Sequence, residues 1–427
     1  MARSTRLWRS LAIGGSLALV LSACGGGDEE TAEPTEAPEA TDEAGGSATG
    51  DGTLTIGTLL PETGTLAFLG PPEFAGVTLA VQEINEAGGV NGNDVVQIDT
   101  DSGDTSTNIA QQSVDTLLSQ DVDAIVGAAS SSVSLSVIDK ITGAGVLQMS
   151  PANTSPAFTT YDDDGLYFRT APSDILQGRV LGDRILADGY ANVAILALQD
   201  SYGEGLAGQV TETVESGGGT VVFSQFYDPK ATDFSAILDE AASTSPDAVV
   251  IIGFDETATI IPQAVSRNFG PQDVPFYFVD GNLKNWGDQI DSGVLTGSLG
   301  TTPGGERPAE FDERLQEAYG PLEDFLYAAE SYDAVIVIAL AAVAAGDDSG
   351  EAIAAELQGV STEGTECTSF AECVELLESG EDIDYSGISG PVDFDDAGDQ
   401  AAAIIGIYEY GDNNAPEPID YVEGSLD

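Results

Sequence analysis

The sequence predicts an α/β protein of two lobes, each a parallel sheet covered by helices on both faces. Three observations carry that prediction. From residue 53 onward, short continuous apolar runs alternate with segments of helical periodicity, the pattern of strands buried on both faces. The alternation falls into two sets, the second starting after "YFRT" (167–170). Each set is longer than about a hundred residues, enough to close a core of its own.

The first set opens with "TLTIGTLL" (53–60), a strand, followed by "PPEFAGVTLAVQEINEAGG" (71–89). There Phe74, Val77, Val81 and Ile84 share one helical face, and Gly88-Gly89 end the helix. "VVQID" (95–99) leads to a helix around Ile109, Val114 and Leu117. "VDAIVGA" (122–128) leads to a helix beginning near Ser130-Ser131-Ser132, and "VLQMS" (146–150) closes the set. In the second set a helix from about Ser173 to Ala187 precedes the strand "NVAILAL" (192–198). A helix after "SYGEG" (201–205), the strand "TVVFSQF" (220–226) and the helix "FSAILDEAAS" (234–243) follow. "DAVVIIGF" (247–254) and "PFYFVD" (275–280) are strands flanking the helical "ETATIIPQAVSRNFG" (256–270). Two late helices, "PAEFDERLQEAYG" (308–320) and "AAESYDAVIVIALAAVAAG" (328–346), must pack on one of the lobes.

The amino terminus predicts an extracytoplasmic address. Arg3, Arg6 and Arg9 precede an apolar run from Leu11 to Ala23 that is too short to span a bilayer, so residues 1–23 read as a signal peptide. Its end, Leu21-Ser-Ala-Cys24, resembles the lipobox of bacterial lipoproteins. That implies cleavage before Cys24 and a lipid on its thiol, holding the protein on the outer face of the bacterial cell membrane. Residues 25–52 are Gly, Pro, Glu, Thr and Ala with almost no bulky apolar side chain. They cannot offset their ordering entropy, so 24–52 is expected to be an anchor and tether reaching about 30 Å. After Cys24 no stretch is expected to span a membrane.

Composition excludes several function classes. The chain has 12 bases against 73 acids, a formal net charge of −61, and three of those bases belong to the leader. Nucleic acid and anionic lipid need clustered Lys and Arg, so neither is an expected partner. The acids are scattered, a solvated surface, and the excess suits a saline habitat where salt screens self-repulsion. With no histidine anywhere, Ser-His-Asp and Cys-His nucleophilic sites and His-ligated metal centres are ruled out. No nucleophile-base motif, Walker loop or C-x-x-C occurs, so no enzyme, cofactor or metal is expected. Asp-rich "DTDSGD" (99–104) and "VDFDDAGD" (392–399) lack the calcium-loop spacing and read as exposed turn acids. Cys367 and Cys373, six apart in an oxidising compartment, predict a local disulfide.

In open parallel sheets, ligands sit outside the carboxyl ends of the strands. The candidate positions are therefore 128–132, 151–155, 200–204, 254–256 and 280–285. The three consecutive serines fall among them. Serine at a helix start is usually a cap, but helix-start amides and hydroxyls also seat anions.

Six stretches carry a resemblance to a known family: "IGTLLPETGTLAFLGPPEFAGVTLAVQEINEAGGVNG" (56–92), "IVGAASSSVSLSV" (125–137), "MSPANTSPAFT" (149–159), "YFRTAPSDILQG" (167–178), "DSYGEGLA" (200–207) and "ISGPVDFDDAGD" (388–399). In order and spacing they resemble the leucine/isoleucine/valine-binding proteins, the substrate-binding subunits of amino-acid ABC importers. The resemblance implies the type I periplasmic-binding fold, two lobes joined by three crossings near Ala171, Gly300 and Gly390. The lobes would comprise 53–171 with 301–389, and 172–300 with 390–427.

It also implies a site. Ser131 matches the serine that donates to the ligand's α-carboxylate, Thr154 the threonine that contacts both carboxylate and ammonium, and Ala152 the carbonyl that accepts from the ammonium. Tyr202 matches an aromatic that closes over the ligand, Asp280 the acid that pairs with the ammonium, and Phe254 a second aromatic wall. Ala129, Ser130 and Leu69 depart from the branched-chain pattern, so the side-chain pocket is altered while the zwitterion clamp is kept. The expected function is capture of an amino acid, branched-chain or otherwise aliphatic, by a monomer that delivers it to ABC permease subunits. A ligand-sensing receptor domain, or a binder of urea, short amides or aromatic acids, is the alternative.

Overall fold

The computed structural model describes residues 49–426. The signal peptide, Cys24 and the tether up to residue 48 lie outside the described residues. In the first lobe, β1 (Thr55–Leu60) leads through α1 (Gly70–Glu86) to β2 (Val96–Asp101), and α2 (Ile109–Leu118) to β3 (Ala124–Gly127). Next come α3 (Ser131–Thr142), β4 (Leu147–Ser150) and the short β5 (Tyr167–Arg169). The five strands lie in the order β2-β1-β3-β4-β5, all parallel. Ile56 of β1 pairs with Gln97 on one side and Ala124 on the other.

The chain then enters the second lobe through α4 (Asp174–Ala187), whose cap, Ser173, accepts from the Ile175 amide. β6 (Asn192–Leu198), α5 (Ser201–Ser216), β7 (Thr220–Tyr227), α6 (Ser235–Ser243), β8 (Ala248–Ile252), α7 (Thr257–Val265), β9 (Phe276–Val279) and β10 (Leu299–Pro303) follow. α8 (Ala309–Tyr319), α9 (Ala328–Ala345), α10 (Gly350–Glu356), β11 (Thr365–Cys367), α11 (Phe370–Ser379) and β12 (Ile383–Tyr385) return to the first lobe. There α9 packs along α1 and over β3 and β4. That approach is close because Gly76 has no side chain: a Cβ there would lie 2.3 Å from the Ala328 carbonyl oxygen. β13 (Ala402–Tyr410) and β14 (Pro416–Ser425) finish the second sheet, ordered β14-β13-β10-β9-β8-β6-β7.

Four details differ from expectation. The second sheet is mixed, since β13 runs antiparallel to β10 and pairs with β14 as a hairpin. Its β10 continues through Pro303, past the expected crossing at Gly300, because Thr301 still pairs with Val279. Val392 and Phe394 pack into the first-lobe core, so the return crossing lies beyond Gly390. Finally, α9 is long and apolar enough to cross a membrane by length and composition, contrary to the expectation for the chain after Cys24, yet 83% of it is buried in the protein. It is the central core helix of the first lobe, where hydrophobicity all round reflects burial on every side.

Cys367 and Cys373 form a disulfide, with Cα atoms 5.4 Å apart, that ties β11 to α11. The acid run at 392–399 is not a set of exposed turn residues: Asp399 is fully buried and pairs with the equally buried Arg169 at 2.6 Å. Burying that arginine demands a partner, and a pattern of acids along the chain does not reveal it.

Candidate functional site

The three serines after β3 have three different partners. Ser130 is the cap of α3, its hydroxyl accepting from the Val133 amide at 3.4 Å. Ser131 Oγ accepts from the Ser155 amide at 3.4 Å, joining the helix start to the loop after β4. Ser132 Oγ reaches the other lobe and accepts from the Ser201 amide at 3.0 Å. Next to it, the Ser155 hydroxyl donates to the Ser201 carbonyl at 3.0 Å. A cap at a strand-to-helix turn was legible; the contact between lobes was not.

The loop carrying Ala152 and Thr154 is held by buried polar groups. Ser150 Oγ accepts from the Ala152 and Asn153 amides at 3.2 and 2.9 Å. The Asn153 side chain donates to the Ala128 and Ala129 carbonyls at 2.9 and 2.8 Å. Arg169 donates to the Asn153 and Ser155 carbonyls from behind. Every one of these groups is out of water, where an unmade bond is costly, so the loop has one arrangement.

The second lobe supplies rings and an acid. α5 begins at Ser201, not after Gly205, because Asp200 caps it by accepting from the Gly203 amide at 2.8 Å. That places Tyr202 in the first turn, stacked on Phe254 with centroids 5.5 Å apart and planes 11° apart. The Tyr202 hydroxyl donates to Asp280 at 2.7 Å. Asp280 directly follows β9 and is 4% exposed. It also accepts from Gln177 at 2.9 Å and from the Tyr327 hydroxyl at 2.8 Å. Burial raises its pKa, opposed by those three donors.

Three residues at this site were missed from the sequence: Asp174, Gln177 and Tyr327. Asp174 is fully buried; one carboxylate oxygen accepts from the Thr154 hydroxyl at 3.0 Å, and the other has no hydrogen-bond partner among the described residues. Its amide donates to the Thr154 carbonyl at 2.7 Å. Burial, and then the charge of Asp280, push its pKa well up. In sequence Asp174 reads only as an acid at a helix start, and Gln177 as one more residue of that helix. Tyr327 precedes α9 with φ 60°, the left-handed region, a conformation costing about 1 kcal/mol or more for a non-glycine residue. That turn aims its hydroxyl at Asp280, and no local pattern announces it.

All eight residues expected at the site fall between the lobes. Ala129, Ala152, Tyr202 and Phe254 join Leu66, Leu69 and Tyr327 in one buried cluster with the second-lobe core. Ser131 and Thr154 adjoin it through Ser155 and Asp174. Ser130 lines a cavity of about 210 Å³ that it shares with Leu66, Thr105, Asp200, Lys230 and Phe254.

Two α/β lobes that meet with hydroxyls on one side and with aromatics and a buried acid on the other have the architecture of a ligand-capturing protein. A profile of the periplasmic binding protein family matches residues 53–409, and the chain belongs to that family, with the branched-chain amino-acid binding proteins. It is a substrate-binding protein and not an enzyme. A chemotactic signal transduction system substrate-binding protein, BasB of Halobacterium salinarum, is 29% identical, over 80% of this chain and 83% of its own length. The leucine-, isoleucine-, valine-, threonine-, and alanine-binding protein of Pseudomonas aeruginosa is 28% identical over 72% and 82%. Among solved structures, the LivJ protein of Streptococcus pneumoniae with isoleucine superposes with a TM-score of 0.71 at 24% identity, covering 87% of this chain and 100% of that one. A solute binding protein of R. palustris holding 4-hydroxybenzoate gives 0.72 at 16% identity, over 87% and 97%. These likenesses show the type I fold, and membership of the family places the chain outside the cytoplasm.

Proposed function

We propose that this protein captures a zwitterionic, aliphatic amino acid in the cleft and delivers it to an ABC permease. The observation that carries the reading is a pair of buried carboxylates, Asp280 and Asp174, beside a wall of neutral hydroxyls and backbone amides. On this reading Ser131 donates to the α-carboxylate, and the Thr154 hydroxyl turns to it from Asp174, its acceptor in this structure, while helix-start amides stabilise the anion without any base. Asp280 receives the ammonium, with the Ala152 carbonyl and Thr154 hydroxyl beside it. The side chain enters the space among Ala129, Ser130, Leu66 and Phe254, under the Tyr202 ring.

An aromatic acid, the ligand of the R. palustris protein, would fill a carboxylate seat but bring no cation to Asp280. Burying an unpaired charge costs several kcal/mol, and this disfavours that ligand class here. Attachment through a lipid on Cys24 and action as a monomer complete the proposal. The likeness to BasB favours a second reading, in which the loaded protein reports to a chemotaxis receptor; both readings share the ligand site.

Thermal-shift titration with the natural amino acids, urea, short amides and 4-hydroxybenzoate tests the ligand class. The expected result is stabilisation by leucine, isoleucine or valine and none by 4-hydroxybenzoate. Stabilisation by the aromatic acid alone would overturn it.

A further inference from the structure

The loop between β1 and α1 is tied to its own lobe at one end and leans on the other lobe at its far end. Asp101 accepts from the Glu62 and Thr63 amides at 3.0 and 3.2 Å and from the Thr63 hydroxyl at 2.6 Å. Leu66 and Leu69, further on, are buried in the cluster of the second lobe, and Phe68 packs half-buried against it. The Phe68 ring lies 4.3 Å from Lys284 Nζ, and the Trp286 ring lies 4.5 Å from the same nitrogen. Asp255 pairs with that ammonium.

Lys284 is 8% exposed, unusual for a lysine in a chain with so few bases. Its surroundings on the second-lobe side are fixed. Trp286 is fully buried and donates from Nε1 to the Asn282 carbonyl at 2.9 Å, while the Tyr410 hydroxyl donates to the Lys284 carbonyl at 3.1 Å. Phe68 comes from the opposite lobe, so separating the lobes strips one aromatic face from a buried cation. A cation between two rings gains most when desolvated, which is the state that closure creates.

We propose that Phe68 and Lys284 form a clasp across the cleft that sets how long the lobes stay shut on a ligand. They are positioning residues: they act on closure, and ligand recognition belongs to the serine and aspartate walls. The inference rests on the reading that the cleft closes on an amino acid. It adds a determinant of release rate that lies in neither wall.

The test uses the intact protein, with stopped-flow measurement of leucine association and dissociation and spin labels reporting the distance between lobes. Lys284→Met and Phe68→Leu are expected to speed dissociation about tenfold and to leave association within about twofold. Lys284→Arg keeps a cation between the rings and should stay within about threefold of the parent. Unchanged dissociation in Lys284→Met, or an arginine variant no slower than the methionine one, overturns the clasp. If leucine fails to bind the parent protein, the amino-acid reading fails, and the ligand-free distance distribution then decides the clasp. A shift toward open in Lys284→Met and Phe68→Leu supports it, and identical distributions reject it.

Discussion

The two walls of the cleft do opposite kinds of chemistry. On the first lobe the groups are neutral, Ser130, Ser131, Thr154 and the amides around them, and their positions are set by backbone geometry and a buried network under the loop. On the second lobe a stacked ring pair and the carboxylate of Asp280 are set by side-chain contacts, with Tyr327 reaching over from the segment before α9. A chain with 12 bases and 73 acids can seat a carboxylate more readily on hydroxyls and amides than on arginine. On the proposed reading, the acid opposite recognises what the hydroxyls cannot, a cation. On that reading neither wall alone would distinguish an amino acid from a simple acid or amine, and discrimination would follow from bringing both together.

The largest break in that division should come from Asp280→Ala. On the proposed reading it leaves a ligand ammonium unpaired in a closed cleft, at a cost of roughly 3–5 kcal/mol of leucine binding. Calorimetry showing less than a tenfold loss would remove Asp280 from recognition. A smaller effect is expected from Ser131→Ala, which takes one donor from the carboxylate and should cost about 1.5–3 kcal/mol. The loss should be greater for leucine than for an analogue without the carboxylate; equal losses would separate Ser131 from the seat.

The smallest effect sharpens the contrast between satisfied and unsatisfied acids. Asp280 has three side-chain donors, whereas the carboxyl group of Glu73, fully buried on α1, has no hydrogen-bond partner among the described residues. Its neighbour Glu330 on α9 is raised from 4.5 to about 8 by burial. A carboxyl raised in the folded state holds a proton that the unfolded chain gives up, so its contribution is full below about 4.5 and is lost as pH rises through about 8. Glu330→Gln should therefore flatten the fall of the thermal midpoint between pH 5 and 8.5, gaining about 2–4 °C at the upper end. Parallel curves for the two proteins would contradict the shift.

Much of the fold was legible because its signals are local. Continuous apolar runs gave the buried strands, and a single helical face with a double glycine gave α1 (Gly70–Glu86). The antiparallel hairpin β13–β14 was not read, because nothing in β10 states which edge a later strand will join. At the site, positions after strands and a family resemblance led to Ser131, Thr154, Tyr202, Phe254 and Asp280. Asp174 and Tyr327 escaped for a physical reason. One is a common residue at a helix start, and the other owes its role to a left-handed backbone that turns a distant ring into the cleft. The interlobe bonds of Ser132 and Phe68 are likewise properties of two lobes in contact, which no window of sequence contains.

The most direct measurement is a calorimetric titration with leucine beside two truncated forms, 4-methylpentanoate without its ammonium and 3-methylbutylamine without its carboxylate. Tight binding of leucine and at least a hundredfold weakening for both truncated forms is the expected result. Binding of 4-methylpentanoate as tight as leucine would contradict a cleft whose buried acid exists to meet a cation.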